Sequence, residues 1–240
     1  MLLRNINSTF IKSLYFIIFI PLIAFSQNSE RINYTTYFDS ILGISDQLIY
    51  NGVQFEDLYR SNQENFRYLE IPQYHIGNIQ YDGQDYYNIN MKYDLVDDQV
   101  IIMSTGKFNF FDVQLIQEKV QNFDFRNRHF VFYNANETLE KGFYEEAYKD
   151  ENVVFLVKHT KIPKKRNGNK FSYYIFNYKE SYFIKANDIL TEISTLKDVK
   201  KLFNKDTVIL QSYPKFNAQN KNDTFKLYLV RLLKYLKRNQ

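Results

Sequence analysis

The 240-residue chain contains no cysteine and no tryptophan, and only seven glycines, four prolines, three histidines and three methionines. Zero cysteine excludes disulfide bridges, thiolate nucleophiles, Cys-ligated zinc, iron–sulfur clusters and a lipid-modified N-terminal cysteine. The scarce glycines argue against a phosphate-cradling loop. Gly52, Gly83, Gly106, Gly142 and Gly168 each stand beside Asn, Asp, Thr or Lys at a segment end, and read as turn residues. No G-x-S-x-G elbow or glycine-rich oxyanion loop is present to activate a serine. His75, His129 and His159 are spread along the chain with no H-x-H or H-E-x-x-H pairing, and read as isolated strand-end histidines. Neither a metal nor a cofactor is expected.

Aromatic residues are abundant instead, with 22 Phe and 21 Tyr. Together with Ile, Lys and Asn they are residues of AT-rich codons, so coding bias accounts for part of this richness. With 45% hydrophobic and 24% charged residues, the chain fits neither a disordered protein nor a multi-span membrane protein. Arg4 and Lys12 are the sole charges before Glu30, and Leu14 to Phe25 form an apolar run too short to span a bilayer, which takes about 20 residues. Small residues at Ala24 and Ser26 precede the polar Gln27, Asn28 and Ser29. This anatomy predicts a secretory signal peptide over 1–26, with a retained N-terminal anchor as the other reading. The mature chain, 27–240, is then exported to the periplasm or cell surface, without a transmembrane segment and not as a lipoprotein. Nucleic acid is an improbable partner there.

Charge divides the mature chain. Residues 27–157 carry 10 Lys and Arg against 21 Asp and Glu, while residues 158–240 carry 19 against 6. A net −11 followed by a net +13 suggests an acidic partner for the basic half, or two halves that face each other. Solvated helix faces are the plainer explanation.

Apolar residues spaced three and four apart predict a helix over 34–50, ended by Asn51-Gly52. Residues 53–72 are polar and irregular, and read as an ordered loop that covers something. From 74 to 194 the period changes to two. Strands follow one another with hairpin signals such as Asp82-Gly83, and Lys164 to Asn169 links the strands 152–159 and 170–178. A further hairpin turns at Asn187-Asp188. From 195 to 240 the chain becomes helical, opening with Thr195 and Asp198 in capping-box spacing. Phe225, Leu229, Leu232, Leu233 and Leu236 make the last helix's apolar stripe, with Lys226, Arg231, Lys234, Lys237 and Arg238 on its other side. The predicted fold is a single α+β domain: one N-terminal helix, an antiparallel β-meander that could curl into a half-barrel, and two or three C-terminal helices.

Carboxylates cluster at Asp94, Asp97 and Asp98 and at Glu145 and Glu146. The aspartates sit in a predicted turn, and adjacent glutamates on a strand point to opposite faces. An exposed tyrosine platform is the remaining resource, with Tyr81, Tyr86, Tyr93 and Tyr144 as candidate binding residues on the sheet and Lys234, Lys237 and Arg238 on the last helix. These features predict a non-catalytic envelope module that binds a partner protein or an amphiphilic envelope component. The alternative is a carboxylate-based hydrolase acting on envelope glycans or other carbohydrate, which requires two acids within about 10 Å of each other in one pocket. A third reading is an accessory subunit docked through its basic C-terminal helix.

The motifs Gly77-x-x-x-Tyr81-Asp82-Gly83-x-x-Tyr86, Lys92-Tyr93-Asp94, Asp98-x-Val100 and Gly142-Phe143-Tyr144-Glu145 resemble those of uncharacterised exported β-rich proteins of Bacteroidota. The leader ending Phe25-Ser26-Gln27 is similar to leaders of that phylum. The resemblance implies an envelope location and a β-meander. It carries no activity and assigns no site residue.

Overall fold

Period-two patterning needs a partner for each strand edge, and hairpin turns decide which partner is nearest. The computed structural model describes residues 48–59, 61, 64–105, 110–168, 170–186, 188–203, 207–216 and 224–239. The leader reading over 1–26 and most of the 34–50 helix lie outside these residues; Leu48–Tyr50 forms a 3₁₀ turn. Eleven strands follow: β1 (Val53–Gln54), β2 (His75–Tyr81), β3 (Gln84–Asp94), β4 (Gln99–Thr105), β5 (Phe110–Gln114), β6 (Val120–Phe125), β7 (Arg128–Tyr133), β8 (Gly142–Lys149), β9 (Val153–Asn167), β10 (Ser172–Ala186) and β11 (Ile189–Glu192). Three helices close the described chain: α1 (Leu196–Leu202), α2 (Thr207–Ser212) and α3 (Phe225–Asn239). This is a β-rich α+β fold.

The strands form one antiparallel sheet in the order β1-β5-β4-β3-β2-β6-β7-β8-β9-β10-β11. The single meander expected from the sequence is therefore two. One runs from β2 to β5; the chain then returns, and β6 pairs with the other edge of β2. The turns have the left-handed backbone that two-residue hairpins require. Asp82 and Gly83 have φ of 51° and 79°, and Arg126 and Asn127 have 50° and 60°.

The apolar faces make two main cores. The first joins Ile79, Met91, Tyr93, Val100, Ile102, Val113, Phe123, Phe130 and Phe143, all from β2 to β8, and among the described residues it includes none from an α-helix. The sheet here curls over itself: Tyr93 of β3 meets Phe143 of β8, four strands away, edge-on at 6.0 Å, and Ile49 and Leu69 join the same cluster. Phe123 stacks on Phe130 at 4.8 Å, and Tyr93 meets both edge-on at 5.2 Å. The second core is sheet against helix: Phe155, Val157 and Ile184 pack on Val199 of α1, Leu210 of α2, and Leu229, Leu232, Leu233 and Leu236 of α3. The Asp198 carboxylate accepts from the Thr195 N–H at 2.8 Å, which fastens the start of α1.

The segment before β2 covers the first core as its polarity pattern suggested. Leu69 and Arg67 are both 2% exposed, and the Leu69 N–H donates to the Tyr93 carbonyl at 2.8 Å. Arg67 enters the protein because three carboxylates await it: Asp94, Asp97 and Asp57. Two expectations fail in the basic half. Lys164 to Asn167 is not a link but part of β9, paired through Asn167↔Ser172, and the segments 170–178 and 181–186 are one strand, β10. An unbroken ladder between β9 and β10 overrides the polar composition that suggested a loop.

Candidate functional site

A bulge opens a polar concavity on the sheet. Asn88 adopts φ 58°, and the pairing of β2 with β3 slips between Gly77 and Ile79. That extra residue flips the alternation of β3, so that Tyr86, not Tyr87, faces the core. On the outer side it leaves a groove of about 450 Å³, lined by His75, Asn78, Asn88, Asp124, Arg126 and His129 among others. His129 Nδ1 lies 2.7 Å from Asp124 Oδ1. The turn between β6 and β7 presents Arg126 and Arg128, and both reach the Glu70 carboxylate, Arg126 Nε at 3.3 Å. Glu70 itself is held at φ 59°. Strands and the β6–β7 turn thus carry imidazoles, guanidinium groups and amides around the Asp124 carboxylate, with Glu70 held by the two arginines.

Behind this groove lies a buried polar network. Arg128 connects the two, its Nη1 standing 3.9 Å from Glu145 Oε2. Glu145 accepts from Lys226 Nζ at 2.8 and 2.9 Å and from His159 Nε2 at 2.7 Å. His159 Nδ1 meets the Tyr178 hydroxyl at 2.6 Å, and that hydroxyl donates to Glu180 at 2.7 Å. Tyr182 donates to the other Glu180 oxygen at 2.6 Å. Burial alone would raise the Glu145 carboxyl, but the hydrogen bond from His159 and the charge of Lys226 outweigh it and hold it at about 2. Glu180 is likewise held low by the two phenols, against the pull of burial. Burial and the Glu180 carboxylate push the Tyr178 phenol well up.

A general acid requires a raised carboxyl, whereas Glu145 and Glu180 are held low and the Tyr178 phenol is raised. Asp94 is raised by burial against the pull of Arg67, but it is fully buried and bonded to that guanidinium.

The expected tyrosine platform is overturned at its four named positions. Tyr81, Tyr86, Tyr93 and Tyr144 are each at most 2% exposed. Curling of the sheet turns Tyr81, Tyr86 and Tyr93 into the first core, while Tyr144 is buried on the other face of β8 with Leu139, Leu156 and Phe183; Tyr93 donates to Asp98 at 2.6 Å and Tyr144 to the Glu140 carbonyl at 2.9 Å. Lys234, Lys237 and Arg238 do lie on the exposed side of α3, with Lys237 Nζ 4.0 Å from Asp150. Lys226 does not share that side. It points inward to Glu145, and its position three before Leu229 and seven before Leu233 puts it on the apolar stripe, a signal that periodicity carried. Glu145 and Glu146 point apart, Glu146 taking Tyr133 and Lys149 while Glu145 takes the network. His75 and His129 share the groove although 54 residues separate them in sequence. No local signal could join them, since the link is the β2–β6 pairing.

Comparison with protein-family models, with curated proteins and with solved structures finds no match to the chain.

Proposed function

We propose that the protein is an exported, non-catalytic binding module of the bacterial envelope, of the exported β-rich Bacteroidota type that its motifs resemble, and that it holds a partner protein at the groove beside the β2–β3 bulge. The lining of that groove carries the reading: hydrogen-bonding side chains on rigid strands, with a single carboxylate, Asp124, already committed to His129. Such a surface suits a polar segment of another protein. An amphiphilic ligand would need an apolar hollow, and the inner face of the curled sheet is filled by its own aromatic side chains. A glycan hydrolase would need two facing carboxyls, one of them raised. The carboxyls that approach each other across His159 are both held low. Among the described residues, no helix is long and apolar enough to cross a membrane.

The test is retention of envelope components on the immobilised chain, compared with Arg126→Glu and His129→Ala. One protein held near stoichiometry, and lost in both variants while Lys234→Glu keeps it, supports the reading. Equal retention by all variants removes the groove from it. Protease-resistant material released by glycan digestion replaces the protein partner with a carbohydrate.

A further inference from the structure

The longest ladder among the described residues outruns its sheet. The β8–β9 pairing ends at Glu145↔Val157, and β11 covers β10 only from Phe183 to Ala186. Beyond these points β9 and β10 continue as a two-stranded arm, paired up to Asn167↔Ser172. Its base is braced. The Lys161 N–H donates to the Leu95 carbonyl, the Phe176 N–H to Asn65 Oδ1, and Tyr59 packs edge-on against Tyr174 at 4.9 Å. The Tyr59 contact reaches as far as the Lys165↔Tyr174 pair, and beyond it Arg166, Asn167 and the turn extend without such bracing. The turn is closed by the Gly168 N–H donating to the Phe171 carbonyl at 3.0 Å.

The composition of this arm has one sign. Between Glu151 and Glu180 there is no carboxylate, while Lys164, Lys165, Arg166 and Lys170 surround the distal end. All four are exposed. Beside them at the turn Phe171 is 51% exposed, and Ile162, nearer the base, is 57% exposed. Cross-strand pairing places Lys164 opposite Ile175 and Arg166 opposite Tyr173 on one face. Cations with long apolar stems, a phenol and an exposed ring at a projecting tip match the layering of a membrane interface. There the phosphates meet the cations and the ring enters the boundary with the acyl chains.

We propose that the β9–β10 arm docks the protein onto an anionic lipid surface, with Phe171 entering the interface and Lys164, Lys165 and Arg166 held by lipid phosphates. Each cation near such a surface strengthens binding about fivefold, so removing three weakens it on the order of 100-fold. This inference is independent of the groove.

Because the chain has no tryptophan, Phe171→Trp places one reporter at the tip, and Val53→Trp places one at a remote exposed edge. Each is titrated with phosphatidylglycerol vesicles and with phosphatidylcholine vesicles, and thermal unfolding shows that each variant is folded. The expected result is a blue shift of the tip reporter with the anionic vesicles only. The remote reporter stays unchanged, and K164Q/K165Q/R166Q weakens the tip response about 100-fold. An equal shift with neutral vesicles, no shift at low salt, or a tighter response to a DNA duplex than to the anionic vesicles overturns the proposal.

Discussion

Glu145 shows how much a single position can carry. Its carboxylate is the meeting point of Lys226 from α3, His159 from β9 and Arg128 from β7. The shift from an ordinary value of 4.5 to about 2 corresponds to about 3 kcal/mol of stability. A carboxyl lowered on folding stabilises fully above its unfolded value, and this contribution fades as pH falls from about 4.5 towards 2. Glu145→Gln is therefore expected to lose about 3 kcal/mol at neutral pH in urea unfolding, with the gap to the parent chain narrowing below pH 4.5. A gap that stays constant down to pH 3 would contradict this assignment. The sequence pointed away from the residue: Glu145 stands next to Glu146 in a strand, and nothing local shows which of them the fold pairs. Gly142, three residues earlier, is also set from outside the strand. It has φ 144°, and a Cβ there would lie 2.0 Å from Asp98 Oδ2 and 2.6 Å from Lys158 Nζ, which form an ion pair at 2.6 Å.

At the scale of the element, helices and strands differ in how much they reveal. The stripe of α3 is written in its own sequence, and Leu229, Leu232, Leu233 and Leu236 are all buried as the 3.6 period requires. Leu227, off that stripe, is 44% exposed. Leu229→Ala is expected to destabilise by about 3 kcal/mol in chemical unfolding through the cavity it leaves, and Leu227→Ala by less than about 0.5 kcal/mol. Similar losses at both sites would mean that α3 does not pack as described. Strands give weaker signals. β3 reads as a clean alternation from Tyr87 to Tyr93, yet the left-handed Asn88 inserts a bulge that turns Tyr86 inward. The same bulge shapes the groove, so the misread position and the candidate site have one cause.

For the whole molecule, the opposed charges of the two halves find a structural use. Lys158 pairs with Asp98, Lys226 and His159 with Glu145, and Lys237 approaches Asp150. Each contact joins the basic half to the acidic half, and three of the four are largely buried, so salt screens them weakly. β8 and β9 also lie side by side while serving different cores, Phe143 in the first, Phe155 and Val157 in the second. One cooperative unfolding transition is expected, with near-ultraviolet tyrosine signals of the first core and far-ultraviolet helix signals of the second coinciding in midpoint. Separate midpoints would show that the two cores fold independently.

The sequence by itself determined what depends on neighbours along the chain: the change of period near residue 74, the turns at Asp82-Gly83 and Asp188, the capped start of α1, the buried stripe of α3, and the exclusion of thiol chemistry. Tertiary structure decided what depends on pairing between distant strands. It turned β6 back onto β2, curled the first meander over its own tyrosines, carried β9 and β10 past the sheet, and brought His75 to His129 and Lys226 to Glu145. Hydrogen-bonded edges and apolar faces are satisfied by whichever partner the fold brings near, and period two marks a strand without naming that partner.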